Sequence, residues 1–202
     1  MRTLVIDTAT KACSVALYDG DSVPASAHEV IGRGHAERLL PLIAALPERG
    51  KADRICVDVG PGSFTGIRVG VAAAKALGFA WKVPVHGYGC LTLVAAMARD
   101  AFEQSLAVDV VMTGGHGEYF FEAFGSDGGS VAPAASLIPN DVNAALRAKH
   151  IAGDIDPENT ELVWLDILPN AEKWHLIASS IPVLPSPIYG RAPDAKPAKV
   201  AA

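Results

Sequence analysis

Basic residues never gather in this sequence. No run of Lys or Arg is longer than two, and 17 basic residues are outnumbered by 22 acidic ones, for a formal charge of −5. A chain that gripped nucleic acid by itself would carry a basic stripe, so any role in RNA chemistry has to run through a partner. Cysteine is equally sparse: Cys13, Cys56 and Cys90 are odd in number, widely spaced and set in apolar contexts. That pattern excludes a disulfide framework and a cysteine zinc site, and predicts reduced, buried thiols. The six histidines show no H-x-x-x-H or H-E-x-x-H spacing, and no G-x-S-x-G elbow is present, which removes the usual signatures of a helical metal site and a serine hydrolase. No apolar stretch is long enough, or free enough of Gly and Pro, to span a membrane. The run Leu4-Val5-Ile6 is too short for the core of a signal peptide. These absences predict a cytoplasmic protein with no membrane partner and no metal.

What is present is apolar bulk. Hydrophobic residues make up 50% of the 202 and charged residues 19%. Either the chain fills a large α/β core or one of its faces is meant for another protein. The length suits one domain or two small lobes.

The hydrophobic pattern changes period along the chain. Arg2–Asp7, Cys13–Tyr18 and Ser22–Glu29 read as three strands, joined first through Asp7–Thr10 and then through the hairpin signal Asp19-Gly20. Pro24 puts the third at an edge. Leu39, Leu42, Ile43 and Leu46 recur at three and four residues and give a helix over His35–Leu46, with Pro41 expected to bend it. A strand at Arg54–Val59, a helix at Thr65–Ala80, a strand at Val83–His86 and a helix at Leu91–Phe102 follow. The order β-β-β-α-β-α-β-α predicts a mixed sheet covered by helices, and it is the order of one lobe of the actin/Hsp70/sugar-kinase fold (ribonuclease H-like), an α/β class. The second half is less regular. Strands are expected at Val108–Met112, Tyr119–Phe124 and Leu162–Leu165, a short helix at Asp141–Lys149 capped by Asn140 or Asp141, and a helix at Ala171–Ala178. Five prolines between Ile181 and Pro197 predict an extended tail. No internal repeat is visible. The expected division is a lobe over 1–105 and a second, shorter lobe over 106–202 that includes the tail.

Two stretches could carry chemistry. Asp7-Thr8-Ala9-Thr10 closes the first strand with a carboxylate and two hydroxyls. It reads either as a phosphate-facing turn using Asp7, Thr8 and Thr10, or as a turn whose side chains bond their own backbone. Gly60-Pro61-Gly62-Ser63-Phe64-Thr65-Gly66 is a glycine-rich strand-to-helix turn. It is neither a Walker A loop nor a dinucleotide fingerprint, and Ser63 or Thr65 serves as a helix cap.

The helix after that turn is unusual. Gly66, Gly70, Ala74 and Gly78 recur every four residues, and each interior Gly costs roughly 1 kcal/mol relative to Ala. Its only charges, Arg68 and Lys75, share one narrow line, while the rest of the circumference is apolar. Such a helix is covered on more than one side. The small-residue stripe therefore admits either this chain's own backbone or a partner's. On the partner reading, Gly70→Leu is expected to spare the fold and break a complex.

Leu4–Thr10, Cys13–Leu17, His35–Pro41, Gly60–Gly70 and the tail segment Pro187–Arg191 together resemble the bacterial TsaB (YeaZ) family. Members are partner subunits in making N6-threonylcarbamoyladenosine on tRNA. The resemblance implies a non-catalytic dimerisation subunit that pairs with a TsaD-like catalytic subunit, joined by a small TsaE-like ATPase. It implies that tRNA is touched only indirectly. No cofactor would be bound tightly by the chain alone, with ATP or ADP entering within the complex. The family's dimer face comes from the first two helices, which here points to His35, Arg38, Leu39, Leu42, Gly66, Ile67, Gly70, Val71 and Ala74, and to self-association through the same helices. TsaD carries a metal-binding H-x-E-G-H sequence. The matching stretch here is Cys90-Leu91-Thr92-Leu93-Val94, with both histidines and the Glu replaced, and valine cannot bind metal. Where members often have a basic segment opening the second lobe, this chain has Thr113–Tyr119 without its two cations.

Two other classes compete with the partner subunit. An ATP-dependent phosphotransferase of the same architecture would lean on Asp7, Thr8 and the Gly60–Gly66 loop. A metallopeptidase would need a metal site or triad that the sequence does not offer.

Overall fold

A computed structural model describes residues 1–180 and 182–190. The remainder of the expected tail, with Ile181 and Arg191, lies outside the described residues. The first sheet has the order β3-β2-β1-β4-β5, built from β1 (Arg2–Asp7), β2 (Ala12–Asp19), β3 (Ser22–Val30), β4 (Arg54–Asp58) and β5 (Val85–Tyr88). β1 pairs antiparallel with β2 and parallel with β4, in the register Ile6↔Val15 and Ile6↔Val57. β3, with its Pro24, lies at the edge, where a missing N–H costs no ladder bond.

Helices cover both faces. α1 (His35–Ala45) and α2 (Phe64–Trp81) pack on one face around Leu4, Ile6, Leu17, Ile55 and Ile67. Each such side chain taken fully out of water contributes roughly 1.5–3 kcal/mol. α1 runs through Pro41 without interruption. α3 (Cys90–Phe102) covers the other face, with Tyr18, Leu93, Met97 and Trp174 between them.

The second sheet repeats the first. Its order is β10-β9-β6-β7-β8, from β6 (Val108–Thr113), β7 (Tyr119–Phe124), β8 (Ser130–Leu137), β9 (His150–Gly153) and β10 (Val163–Asp166). β6-β7-β8 form an antiparallel meander, and β6, β9 and β10 run parallel, as β1-β2-β3 and β1-β4-β5 do in the first. The chain is therefore a duplicated ribonuclease H-like unit, the actin/Hsp70/sugar-kinase architecture, although its sequence shows no repeat. α3 packs against both sheets: Leu91, Val94, Ala95 and Ala98 meet Val108, Val110 and Phe120 of the second. α4 (Pro139–Ala145) closes the far side around Val142.

Several expectations for the second half need correction. β8 and β9 were not anticipated. α4 begins at Pro139, whose fixed φ suits the first helical position, and its cap position is Ile138 rather than Asn140 or Asp141. The segment Ala171–Ile177 is a 3₁₀ helix, capped by the Asn170 side chain accepting from Glu172 N–H at 2.9 Å.

That segment also returns to the first lobe. Tyr18 Oη donates to Glu172 O at 2.6 Å, and its ring meets Trp174 edge-on at 5.4 Å. Val183 exchanges backbone hydrogen bonds with Gly87, and Ile188 N–H donates to Val59 O at 2.7 Å. The first lobe is thus built from both ends of the described chain. No helix among the described residues is long and apolar enough to cross a membrane.

Candidate functional site

The carboxyl ends of β1 and β4 place Asp7 beside Asp58, both fully buried. Asp7 Oδ2 accepts from the Tyr88 hydroxyl at 3.1 Å and Oδ1 from Ala9 N–H at 3.4 Å. Asp58 Oδ1 accepts from Gly60 N–H at 2.6 Å, while Oδ2 is buried with no hydrogen-bond partner of good geometry. Burial, then the neighbouring Asp7 charge, hold the Asp58 carboxyl well above the usual range. Burial also raises Asp7, but hydrogen bonds from Asp58, Ala9 and Tyr88 favour its anion. Asp58 is therefore the protonated member, and a proton turned toward Asp7 gives Oδ2 its partner.

This arrangement ties stability to pH. Unfolded, the Asp58 carboxyl ionises near pH 4; folded, it keeps its proton. The unfolded chain then binds fewer protons, so stability falls as pH rises from about 4 toward the folded pKa, with a slope of up to about 1.4 kcal/mol per pH unit. The groups around the pair are Tyr88 on β5, Cys90 on α3 and His28 on β3. Asp58→Asn, which keeps the Gly60 bond and can donate to Asp7, is expected to gain stability over the parent between pH 5 and 8. Urea unfolding at both pH values measures this; an equal difference at the two removes Asp58 as the proton carrier.

The phosphate-turn residues face inward. Thr8 is fully buried and its hydroxyl donates to Gly66 O at 2.8 Å. Thr10 accepts from Ala12 N–H at 3.2 Å and is half-buried. The glycine loop lies directly on this turn: Ser63 N–H donates to Ala9 O at 2.6 Å. A Cβ at Gly62 would overlap the Ala9 carbonyl, and one at Gly66 the Thr8 carbonyl. Ser63 caps α2, accepting from Gly66 N–H at 3.2 Å. Between the two sheets' turns, Lys11 reaches Asp154 Oδ2 at 3.3 Å, and Asp154 accepts from Thr113 N–H at 2.7 Å. Thr113 opens the β6–β7 turn, the counterpart in the second lobe of the β1–β2 turn.

The stretch corresponding to H-x-E-G-H begins α3. Cys90 and Val94 are fully buried. Burial, then the Asp58 and Asp7 charges, push the Cys90 thiol well above its usual range, which keeps it neutral and a poor ligand. Among the described residues no three His, Cys, Asp or Glu side chains are grouped to hold a metal ion. The residues present do not fit the metal of a TsaD-type site.

The small-residue stripe faces the chain's own sheet, which corrects the partner-facing assignment of its residues. A Cβ at Gly70 would overlap Thr8 Oγ1, and one at Gly78 would overlap Val85. Ile67, Val71 and Ala74 are core residues with Gly66 and Gly70 buried beside them, and Leu39 and Leu42 fill the same core from α1. His35 is buried, its Nε2 3.1 Å from Ala12 O. Of the nine residues expected at a partner, only Arg38 is exposed, and it is paired with Glu29 at 2.6 Å.

The opposite arc of α2 is bare from Ala72 onward and, among the described residues, meets only Tyr189 at its N-terminal end. Phe64, Arg68, Ala72, Lys75, Ala76 and Phe79 are all exposed, Phe79 to 89%. Beside it, α1 exposes Ala36, Leu40 and Ala44, with Leu40 at 53%. The signal for this face was present in the line that carries Arg68 and Lys75: charge marks the outer arc of a helix that is otherwise apolar all round.

Comparison with known proteins places this architecture. A family model described as TsaD, tRNA N6-adenosine threonylcarbamoyltransferase, matches residues 23–146. The solved structure of YeaZ from Pseudomonas aeruginosa superposes with a TM-score of 0.78 at 29% identity, covering 93% of this chain and 99% of that one. The chain belongs to the TsaB/YeaZ family. The Haemophilus influenzae tRNA threonylcarbamoyladenosine biosynthesis protein TsaB is 42% identical over 114 residues, covering 54% of this chain and 46% of that protein. Its Escherichia coli namesake is 38% identical over 117 residues, covering 55% and 48%. The aligned part spans about half the length of these two curated relatives.

Proposed function

We propose that this chain is a non-catalytic subunit of the machinery that forms N6-threonylcarbamoyladenosine on tRNA, and that it docks a TsaD-like catalytic subunit through the outer faces of α1 and α2. The observation that carries the reading is the bare arc of α2. Phe79 at 89% exposure and Leu40 at 53% leave an apolar surface on two adjacent helices, and exposed apolar patches of this kind mark protein contacts. Ala72 and Ala76 at its centre are small enough for a second pair of helices to approach at the short end of the usual ~8–10 Å.

The inward-facing Asp7 and Thr8, the neutral Cys90 and the apolar Val94 support a non-catalytic role. A TsaE-like ATPase would join the assembled pair, nucleotide would bind within that assembly, and tRNA would be held by the partner. The family supplies these assignments. A threonylcarbamoyl transfer assay with the cognate TsaD- and TsaE-like subunits, with and without this chain, tests the reading. Transfer is expected only with all three. Turnover by this chain unaided, or tight Mg-ATP binding with hydrolysis in calorimetry, would replace it with the phosphotransferase reading.

A further inference from the structure

The outer arc of α2 is cationic as well as apolar. Phe64–Trp81 contains no Asp or Glu, and its two charged residues, Arg68 and Lys75, both lie on the exposed arc, in a chain whose net charge is −5. Arg68 is also held in place. Its guanidinium carbon sits 3.5 Å from the Phe64 ring centroid, and its Nε–H donates to the Tyr189 hydroxyl at 2.8 Å. The two rings are themselves in contact at 5.2 Å, tilted by 33°. Tyr189 is fixed by the backbone before it, where Ile188 N–H bonds Val59 O.

We infer that Arg68, clamped by Phe64 and Tyr189, is a charge anchor of the docking face that receives a carboxylate from the partner's helix, and that the C-terminal segment Pro187–Gly190 contributes to docking by positioning it. This rests on the docking reading above. The clamp uses one face of the guanidinium and its Nε–H. The two terminal nitrogens have no acceptor among the described residues, and they form the edge that binds a carboxylate through two parallel bonds. Ordering a free arginine on binding costs side-chain entropy; here the stack and the Tyr189 bond have already restricted it. An arginine packed among aromatics is a frequent hot spot at protein interfaces.

The chemistry favours a protein carboxylate over nucleic acid, because beyond Arg68 the arc carries one further cation, Lys75, among Ala72, Ala76 and Phe79, too few for a basic track along a phosphate backbone. It also disfavours a second copy of this chain docked α2 against α2, which would set Arg68 and Lys75 against the same cations.

The test is calorimetric titration of the full chain with its cognate TsaD-like subunit at low and high salt. Arg68→Gln is expected to weaken binding about tenfold at low salt and to flatten the salt dependence. Arg68→Lys is expected not to restore it, since an ammonium lacks the planar fork. Tyr189→Phe is expected to give a smaller loss in the same direction with an unchanged melting temperature, a pattern a purely structural tyrosine would not produce. An unchanged affinity and salt slope for Arg68→Gln overturns the anchor. If Phe79→Asp still abolishes that complex, docking through this face stands without the anchor; if Phe79→Asp is also silent, the docking reading falls with it. Loss of tRNA binding by Arg68→Gln, with unchanged subunit affinity, would reassign the site to phosphate. Self-association that weakens in Arg68→Gln, with the cognate complex unaffected, would reassign it to a second copy.

Discussion

Phe79→Asp and Leu40→Asp are each expected to weaken the complex with the TsaD-like subunit by about a hundredfold, roughly 2.7 kcal/mol. The isolated chain should remain folded. Both side chains are exposed in the free protein, and surface substitutions away from special features usually change stability by less than about 0.5 kcal/mol. In a docked complex each aspartate would be pressed into an apolar contact without a partner, at a cost of several kcal/mol. Size-exclusion or calorimetry of the complex, beside thermal unfolding of the chain alone, separates the two effects. A complex that survives both substitutions would move the contact off α1 and α2. Ala76→Glu should behave like them, since Ala76 lies on the same arc.

Gly66→Ala is expected to do the reverse, damaging the fold whether or not a partner is present. Its new methyl would overlap the Thr8 carbonyl, and the Thr8 hydroxyl already bonds Gly66 O at 2.8 Å. Neither neighbour is a flexible side-chain end, because Thr8 belongs to a turn buried under the glycine loop. Overpacking that shifts backbone typically costs about 1–3 kcal/mol, and this overlap with a carbonyl belongs at the upper end, a large part of a domain's typical stability of about 5–15 kcal/mol. Gly70→Leu belongs with it: a Cβ there would overlap Thr8 Oγ1 and lie 3.5 Å from Val57. The expectation of a folded variant that merely loses its partner is therefore replaced by loss of the fold. Urea midpoints for Gly66→Ala and Gly70→Leu, set against Ala72→Ser on the exposed arc, give the contrast. A wild-type midpoint for Gly66→Ala would show that the loop can lift off β1.

The two results separate opposite sides of one helix, whose outer side the sequence marked only through Arg68 and Lys75. α2 is apolar around most of its circumference, so its periodicity gave no inward direction. The four-residue spacing of Gly66, Gly70, Ala74 and Gly78 reported a close backbone approach, and that much was right. Which backbone approached was a matter of tertiary position. The Thr8–Ala9 turn meets the stripe because β1 and β4 are parallel neighbours, a pairing that no local pattern encodes.

The strands and helices of the first lobe were legible because their signals are local. Alternation of β-branched residues, the Asp19-Gly20 turn, Pro24 on an edge and Leu recurrence in α1 each act within a few residues. β8 and β9 were not legible for the same reason. β8 is half-exposed and carries Pro133 and three alanines, so it lacks an alternating pattern; β9 has four residues, too few to show a period. Both exist because a neighbouring strand supplies their hydrogen bonds.

The amino-acid sequence by itself determined the family and the order of elements in the first half, because each depends on residue identity at short range. Only the tertiary structure decided that the second lobe repeats the first, that Asp7 and Thr8 point inward, and that α2 turns its glycines to the sheet and Arg68, Ala76 and Phe79 to solvent. Those outcomes depend on which distant segments meet, and burial and charge acquire their sense only once they have met.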